Sequence, residues 1–198
     1  MTAVTTRPSS KPGRPRSSAA DRAILEAAIA LLKADGYAGM SVEAVAAEAG
    51  VGKSTIYRRY RGKEQLVIAA LKTFVQTPGV PDSGSTRDDL ESVLGQFHTQ
   101  VITKLGIRML GTLMVQEENH PEFIASFRRT VIEPRRDVLR TVLRRGMERG
   151  ELRDDVDVEM CVDFLTGGLV IHRLASGKSP RGLAARAVTE IWAGIAVR

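Results

Sequence analysis

The chain has 198 residues, 43% of them hydrophobic, which is room for one substantial core or two small ones in an ordinary globular protein. It contains no run of about 18 apolar residues, and its opening MTAVTTRPSSKPGRPR lacks the apolar stretch of a secretory signal, so no membrane association and a cytoplasmic location are expected. The net charge of +6 sits entirely in one part: residues 1–74 carry 12 Lys/Arg against 6 Asp/Glu, while residues 75–198 carry 17 of each. A polyanion partner is therefore expected for the N-terminal third only.

Residues 1–16 contain Arg7, Lys11, Arg14 and Arg16 and no acid, interleaved with Pro, Ser and Gly, and read as a flexible basic arm. Arg14 and Arg16 suit a narrow minor groove, and a solvated tail is the competing reading. From Ser18 to about Asp35, Ile24, Leu25, Ala28, Leu31 and Leu32 form one apolar stripe, with Ser18 and Asp21 as a capping box and Gly36 as the stop. Ser41 then offers an N-cap, with Met40 as a hydrophobic staple on Val45, and Val42, Val45, Ala46 and Ala49 recur at helical spacing. Gly50 ends this helix, Val51 points inward, and Gly52 opens a second helix over Lys53 to Tyr60 in which only Ile56 needs the core. That leaves Lys53, Ser54, Thr55, Tyr57, Arg58 and Arg59 free, which suits a helix placed in a DNA major groove.

Two other readings compete for this stretch. GVGKST contains the Gly-Lys-Ser of a phosphate-binding loop, but the glycine required five positions before Gly52 is Ala47, and the preceding segment reads as helix where a strand is needed. The blander alternative is a helical hairpin with a solvated polar face.

Gly62-Lys63-Glu64 opens a helix through Phe74, where Lys63 can meet a phosphate at the helix start or simply stay solvated. Gln76 to Thr86 is dense in Pro, Gly and Ser and reads as a linker. The spacing gives an arm over 1–16, a helix-turn-helix domain over 17–75 and an all-helical domain over 76–198. In the last, Leu90, Val93, Leu94, Phe97 and Val101, then Ile107, Leu110, Leu113 and Met114, recur at helical period. A long helical run from Pro121 to Gly150 is interrupted by Pro134, which is expected to kink or split it. Its basic edge, Arg136, Arg140, Arg144, Arg145 and Arg149, reads as a salt-bridged face, since the domain nets zero. Two apolar helices, about 157–176 and 180–196, close the chain and call for a symmetric partner as cover.

The three-helix opening, GVGKSTIYRRY followed by GKEQL, and the all-helical remainder resemble the TetR family of bacterial one-component transcription regulators. The resemblance covers residues 18–74 strongly, and PEFIASFRRTVIEPRRDVLRTVLRRGMERGELRDDVD is similar to one branch of TetR-like C-terminal domains. It implies an all-α homodimer that docks two recognition helices on a near-palindromic double-stranded DNA operator, usually as a repressor, with half-sites about 34 Å apart or multiples of that. It also implies that Lys53, Ser54, Thr55, Tyr57 and Arg58 face bases or adjacent phosphates, that Tyr60 and Lys63 grip the backbone, and that Ser41 contributes from the preceding helix. Many members carry His-Phe where this chain has Arg59-Tyr60, which adds a charge. The resemblance further implies a C-terminal pocket for a small-molecule effector, for which Phe97, His98, Met109, Met114, Phe123, Phe127, Phe164 and His172 are candidate lining residues, against a plain-core reading of the same side chains. A constitutive DNA binder without an effector stays open. No catalytic centre, metal or cofactor is expected: His98, His120 and His172 are isolated in sequence, and Cys161 has no partner at ligand spacing.

Overall fold

The computed structural model describes residues 18–197, so Arg14 and Arg16 lie outside the described residues. Among the described residues ten α-helices run in chain order: α1 (Ser18–Gly39), α2 (Val42–Glu48), α3 (Lys53–Tyr57), α4 (Lys63–Phe74), α5 (Thr86–Phe97), α6 (Ile107–Met114), α7 (Pro121–Phe127), α8 (Glu133–Glu148), α9 (Val158–Ser176) and α10 (Leu183–Ile195). Two widened, π-helical segments, His98–Gly106 and Arg128–Ile132, join α5 to α6 and α7 to α8. The described residues contain no strand, only an isolated bridge between Leu152 and Ala196.

The first helix departs from its expected stop. Gly36 breaks it with φ 71° and ψ 180°, and one further turn brings Tyr37 inward, where it is buried. An L-residue is strained at that backbone conformation, and a Cβ at Gly36 would also touch Thr112 Cγ2 at 3.4 Å. Gly36→Ala is therefore expected to destabilise the fold by about 1–3 kcal/mol, measured as a lowered Tm with helical circular dichroism unchanged. Ser18 lies within the helix, and Asp21 pairs with Arg59 in the turn after α3, so the expected capping box is replaced by a tertiary contact.

Ser41 caps α2 as expected, its Oγ accepting from the Ala44 N–H at 3.0 Å. The turn to α3 is closed by the Val51 N–H on the Ala46 carbonyl at 3.0 Å, with Gly50 at φ 64°. The recognition helix proper ends earlier than expected, at Tyr57, and the next turn is carried by Arg59 and Tyr60 N–H groups on the Ile56 carbonyl. The expected long run from Pro121 divides where foreseen, with Pro134 in the first turn of α8, a position that needs no N–H. The final helix starts at Leu183 rather than at Ser179-Pro180, because Gly182 adopts a left-handed conformation with φ 76°.

Two buried clusters form the core. The first joins Ile24, Ala28, Leu32, Val45, Ile56, Leu66 and Leu71 of the N-terminal helices to Leu105, Leu113, Phe123 and Phe127 further on, so the interior of the head runs on into the body. The second joins α5, α8, α9 and α10 through residues such as Leu94, Leu143, Leu165 and Val188. Phe97 packs against both. The segment between α4 and α5 is pinned despite its composition: Arg145 donates to the Pro81 carbonyl at 2.7 Å, Arg149 pairs with Asp82 at 2.5 Å, and the Asp89 carboxylate accepts from the Ser83 N–H at 3.0 Å.

The basic edge of α8 is neutralised within the chain. Arg140 pairs with Glu133 at 2.8 Å, Asp137 at 2.7 Å and Glu159 at 2.6 Å, and Arg136 reaches Asp163 at 2.5 Å and Glu159 at 3.0 Å. Hydrogen bonds from Arg140 and Arg136 hold the Glu159 carboxyl down at about 2. This face offers no spare positive charge to a second DNA surface at Arg136 or Arg140.

Candidate nucleic-acid interface

Helix α3 is anchored by one side chain. Ile56 is 1% exposed, while Lys53, Ser54, Tyr57 and Arg58 face outward and Thr55 is half-buried. Tyr57 is 50% exposed, which leaves its ring and hydroxyl free to reach a base edge or phosphate. Lys53 forms an ion pair with Glu43 of α2 at 3.2 Å. Backbone hydrogen bonding at the start of α2, reinforced by Lys53, holds the Glu43 carboxyl below its usual range. This pair ties the two helices of the motif together across the turn while leaving both side chains at the surface.

Arg59 behaves differently from its neighbours. It donates to the Thr55 carbonyl at 2.9 Å and pairs with Asp21 of α1, with little of its side chain exposed. The charge that the sequence adds at this position is thus spent within the head, and the outward cation of the pair is Arg58. Tyr60 is half-buried against the first core cluster, and burial raises its hydroxyl pKa. Lys63 stands 4.3 Å from the Tyr37 ring centroid, near enough for a cation–π contact, and its ammonium donates to the Ala38 carbonyl at 3.4 Å. Burial lowers its pKa. Tyr60 and Lys63 therefore flank the exposed row from positions partly fixed by the head, and Ser41 combines its half-exposed hydroxyl with a capping duty.

The nucleotide reading of GVGKST has no geometric support. Helix α2 precedes it, only Ala49 to Gly52 separate α2 from α3, and Lys53 opens the recognition helix with its ammonium on Glu43. A phosphate-binding loop needs a strand before it and a longer glycine-rich arc.

A cavity of about 380 Å³ lies between the end of the head and the body, lined by Val75, Gln76 and Pro78, by residues of the two π-helical segments and by Thr166, Gly167, Val170 and Ile171 of α9. Of the side chains singled out for a ligand site, Phe97, Met114 and Phe127 line it. The other five lie elsewhere. Met109 and Phe123 are buried in the first core cluster, with Phe123 stacked on Tyr37 at 4.6 Å between centroids. His98 bonds Ser179 at 2.7 Å, with burial and then His172 depressing its pKa, and neither histidine is part of the cavity lining. Phe164 is 61% exposed on α9. Helical spacing alone missed Arg135, Gln96 and Gln100, which also line the cavity. Nothing in their spacing distinguishes them from surface residues.

An exposed, hydrogen-bonding helix held by one apolar anchor behind an alanine-rich partner defines a helix-turn-helix DNA-binding regulator. Comparison with known proteins agrees. Residues 24–70 match the model for bacterial regulatory proteins of the tetR family, and residues 80–191 match that for the tetracyclin repressor-like C-terminal domain. The chain belongs to the TetR family of transcriptional regulators. It is 31% identical over 172 residues to the HTH-type transcriptional regulator YdeS of Bacillus subtilis, covering 85% of each chain. It is 30% identical over 164 residues to the DNA-binding transcriptional repressor TetR of Mycobacteroides abscessus, covering 82% of this chain and 85% of that one. The crystal structure of the TetR family regulator SCO0332 superposes with a TM-score of 0.64 at 30% identity, covering 90% of this chain and 99% of that one. Proteins of this family bind DNA operators, act as dimers and are not enzymes.

Proposed function

We propose that this regulator is an operator-specific repressor that works as a homodimer through its C-terminal helices and is released from DNA by a small, largely apolar molecule. Residues 17–75 serve as the reading head and 76–198 as the effector and dimerisation body. The observation that carries the proposal is the position of the cavity: its wall includes Val75, Gln76 and Pro78, the residues that directly continue α4, so an occupant presses on the element that holds the head. A ligand acts only by favouring the head spacing that cannot span two half-sites over the one that can, by a few kcal/mol. The repressor sign is supported by the printed name of the Mycobacteroides abscessus relative.

On the DNA side, Lys53, Ser54, Thr55, Tyr57 and Arg58 face bases or adjacent phosphates, Tyr60 and Lys63 grip the backbone, Ser41 contributes from the preceding helix, and Arg14 and Arg16 are assigned to the minor groove. Selection of duplexes from a random library, followed by footprinting, is expected to return a two-fold related site. On that site Tyr57→Ala is expected to cost about 1–3 kcal/mol of discrimination against mismatched duplexes, while Lys63→Ala weakens all duplexes alike. Equal losses on matched and random DNA for both variants would show that the division of roles is wrong.

A further inference from the structure

Arg135 is the anomaly of the cavity. Its neighbour Arg136 is saturated by Asp163 and Glu159, and Arg140 by Glu133, Asp137 and Glu159. Arg135, in the first turn of the same helix, donates one Nη1 hydrogen to the Val131 carbonyl, and its Nη2 is buried with no hydrogen-bond partner. Among the described residues it has no carboxylate within ion-pair distance. Burial depresses its pKa to about 10, which still leaves the guanidinium charged at neutral pH. A charged guanidinium that is half-buried in a mainly apolar wall with no carboxylate beside it is costly unless something pairs with it.

The surroundings indicate what that partner is. Arg135 lines the cavity together with Val131, Ile132, Leu105, Leu110 and Phe127, so the charge stands at the edge of a mainly apolar chamber. Two π-helical segments form part of the same wall, and such widened turns concentrate at functional sites. Gln96 and Gln100 add neutral hydrogen-bonding groups. A wholly apolar ligand leaves Arg135 unpaired, and a strongly hydrophilic anion leaves the apolar walls wet.

We infer that the effector is an amphipathic monoanion, an apolar body bearing one carboxylate-like head that pairs with Arg135. This rests on reading the cavity as the effector site and adds the chemical class of its occupant. The head accepts from the guanidinium where Arg135 lines the cavity, forming a charge-assisted hydrogen bond beside a mainly apolar wall, while the tail lies against Leu105, Phe127 and Ile132.

Calorimetric titration of the intact protein with decanoate and with decanol, which share a chain and differ in the head, tests this. Wild-type protein is expected to bind decanoate at least about tenfold more tightly than decanol. Arg135→Gln is expected to remove that preference while leaving decanol binding unchanged. Thermal unfolding of the unliganded variant is expected to occur at or above the wild-type temperature, because an unpaired buried charge has been removed, and this separates loss of the head contact from loss of the fold. Equal binding of the two probes by wild type, or a preference that survives Arg135→Gln, overturns the anionic head. If decanol releases operator DNA as well as decanoate does, the effector reading stands without it. If neither probe binds, both this inference and an alkyl-accepting cavity fall.

Discussion

Placing glutamate at both Phe164 and Leu174 is expected to turn the dimer into a monomer and to reduce operator affinity on the order of a thousandfold. On α9, Met160, Phe164, Ile171 and Leu174 are 44%, 61%, 59% and 67% exposed, and at 100° per residue they fall on one stripe with Gly167 at its middle. Within a single chain Met160, Phe164 and Leu174 of this stripe are exposed, Gly167 and Ile171 also border the cavity, and Leu165 and Leu169 on the opposite side fill the second core cluster. Helix α10 contributes less than its sequence implies, because Leu183, Val188 and Ile195 are buried in their own chain and, of its large apolar side chains, Ile191 and Trp192 remain half-exposed. In the proposed dimer two such stripes, each with a glycine at its centre, would approach closely, and carboxylates facing their symmetry mates would oppose that approach. Since both positions are exposed in the monomer, each substitution is expected to change monomer stability by no more than about 0.5 kcal/mol. Sedimentation at micromolar concentration should show a folded monomer, and gel shifts should show loss of the operator complex with weak nonspecific binding retained. A double variant that still sediments as a dimer places the interface elsewhere.

The features legible in the sequence are those set by local chemistry. Ser41, Gly50 and Gly52 delimit the motif and a single Ile56 implies an exposed face; both helices start where expected, although the second stops at Tyr57 rather than Tyr60. Ring and sulfur side chains in the body were less legible. Phe97 and Phe127 reach the cavity while Met109 and Phe123, at equally helical spacing, go to the core. The π-helical segments His98–Gly106 and Arg128–Ile132 account for part of this, since each widened turn shifts the phase of the residues that follow and a regular 3.6-residue projection then assigns them to the wrong face. Charge was similarly ambiguous. Arg59 and Arg58 are adjacent, yet one is tied to Asp21 and the other faces outward; Arg135 and Arg136 are adjacent, yet one is unpaired in the cavity and the other is saturated. Partners far apart in sequence decide each case, and composition carries no record of them.

Phe123→Ala is expected to destabilise the protein by about 3–5 kcal/mol, and to loosen the head from the body more than any comparable core truncation. Phe123 is 1% exposed and stacks on Tyr37 at an interplanar angle of 20°. Tyr37 in turn meets His120 edge-on at 5.6 Å and carries the Lys63 ammonium over its face, and His120 Nδ1 lies 3.2 Å from Glu64 of α4. The last turn of α1, the start of α4 and the start of α7 thus converge on one aromatic ring. Burial, followed by the nearby Glu64 carboxylate, raises the Tyr37 hydroxyl to about 12, so the ring stays neutral throughout the ordinary pH range. Removing Phe123 leaves a cavity beneath Tyr37 and frees it to turn, which releases Lys63 and α4 together. The expected readout is a Tm lowered by roughly 10 °C, with faster amide exchange in α4 and α7 than in α8 and α10. Phe123→Leu, which keeps most of the volume but not the stacking, should recover most of the stability while exchange at α4 stays raised. Uniform exchange across both clusters in Phe123→Ala would mean that the ring supports the core without linking head to body.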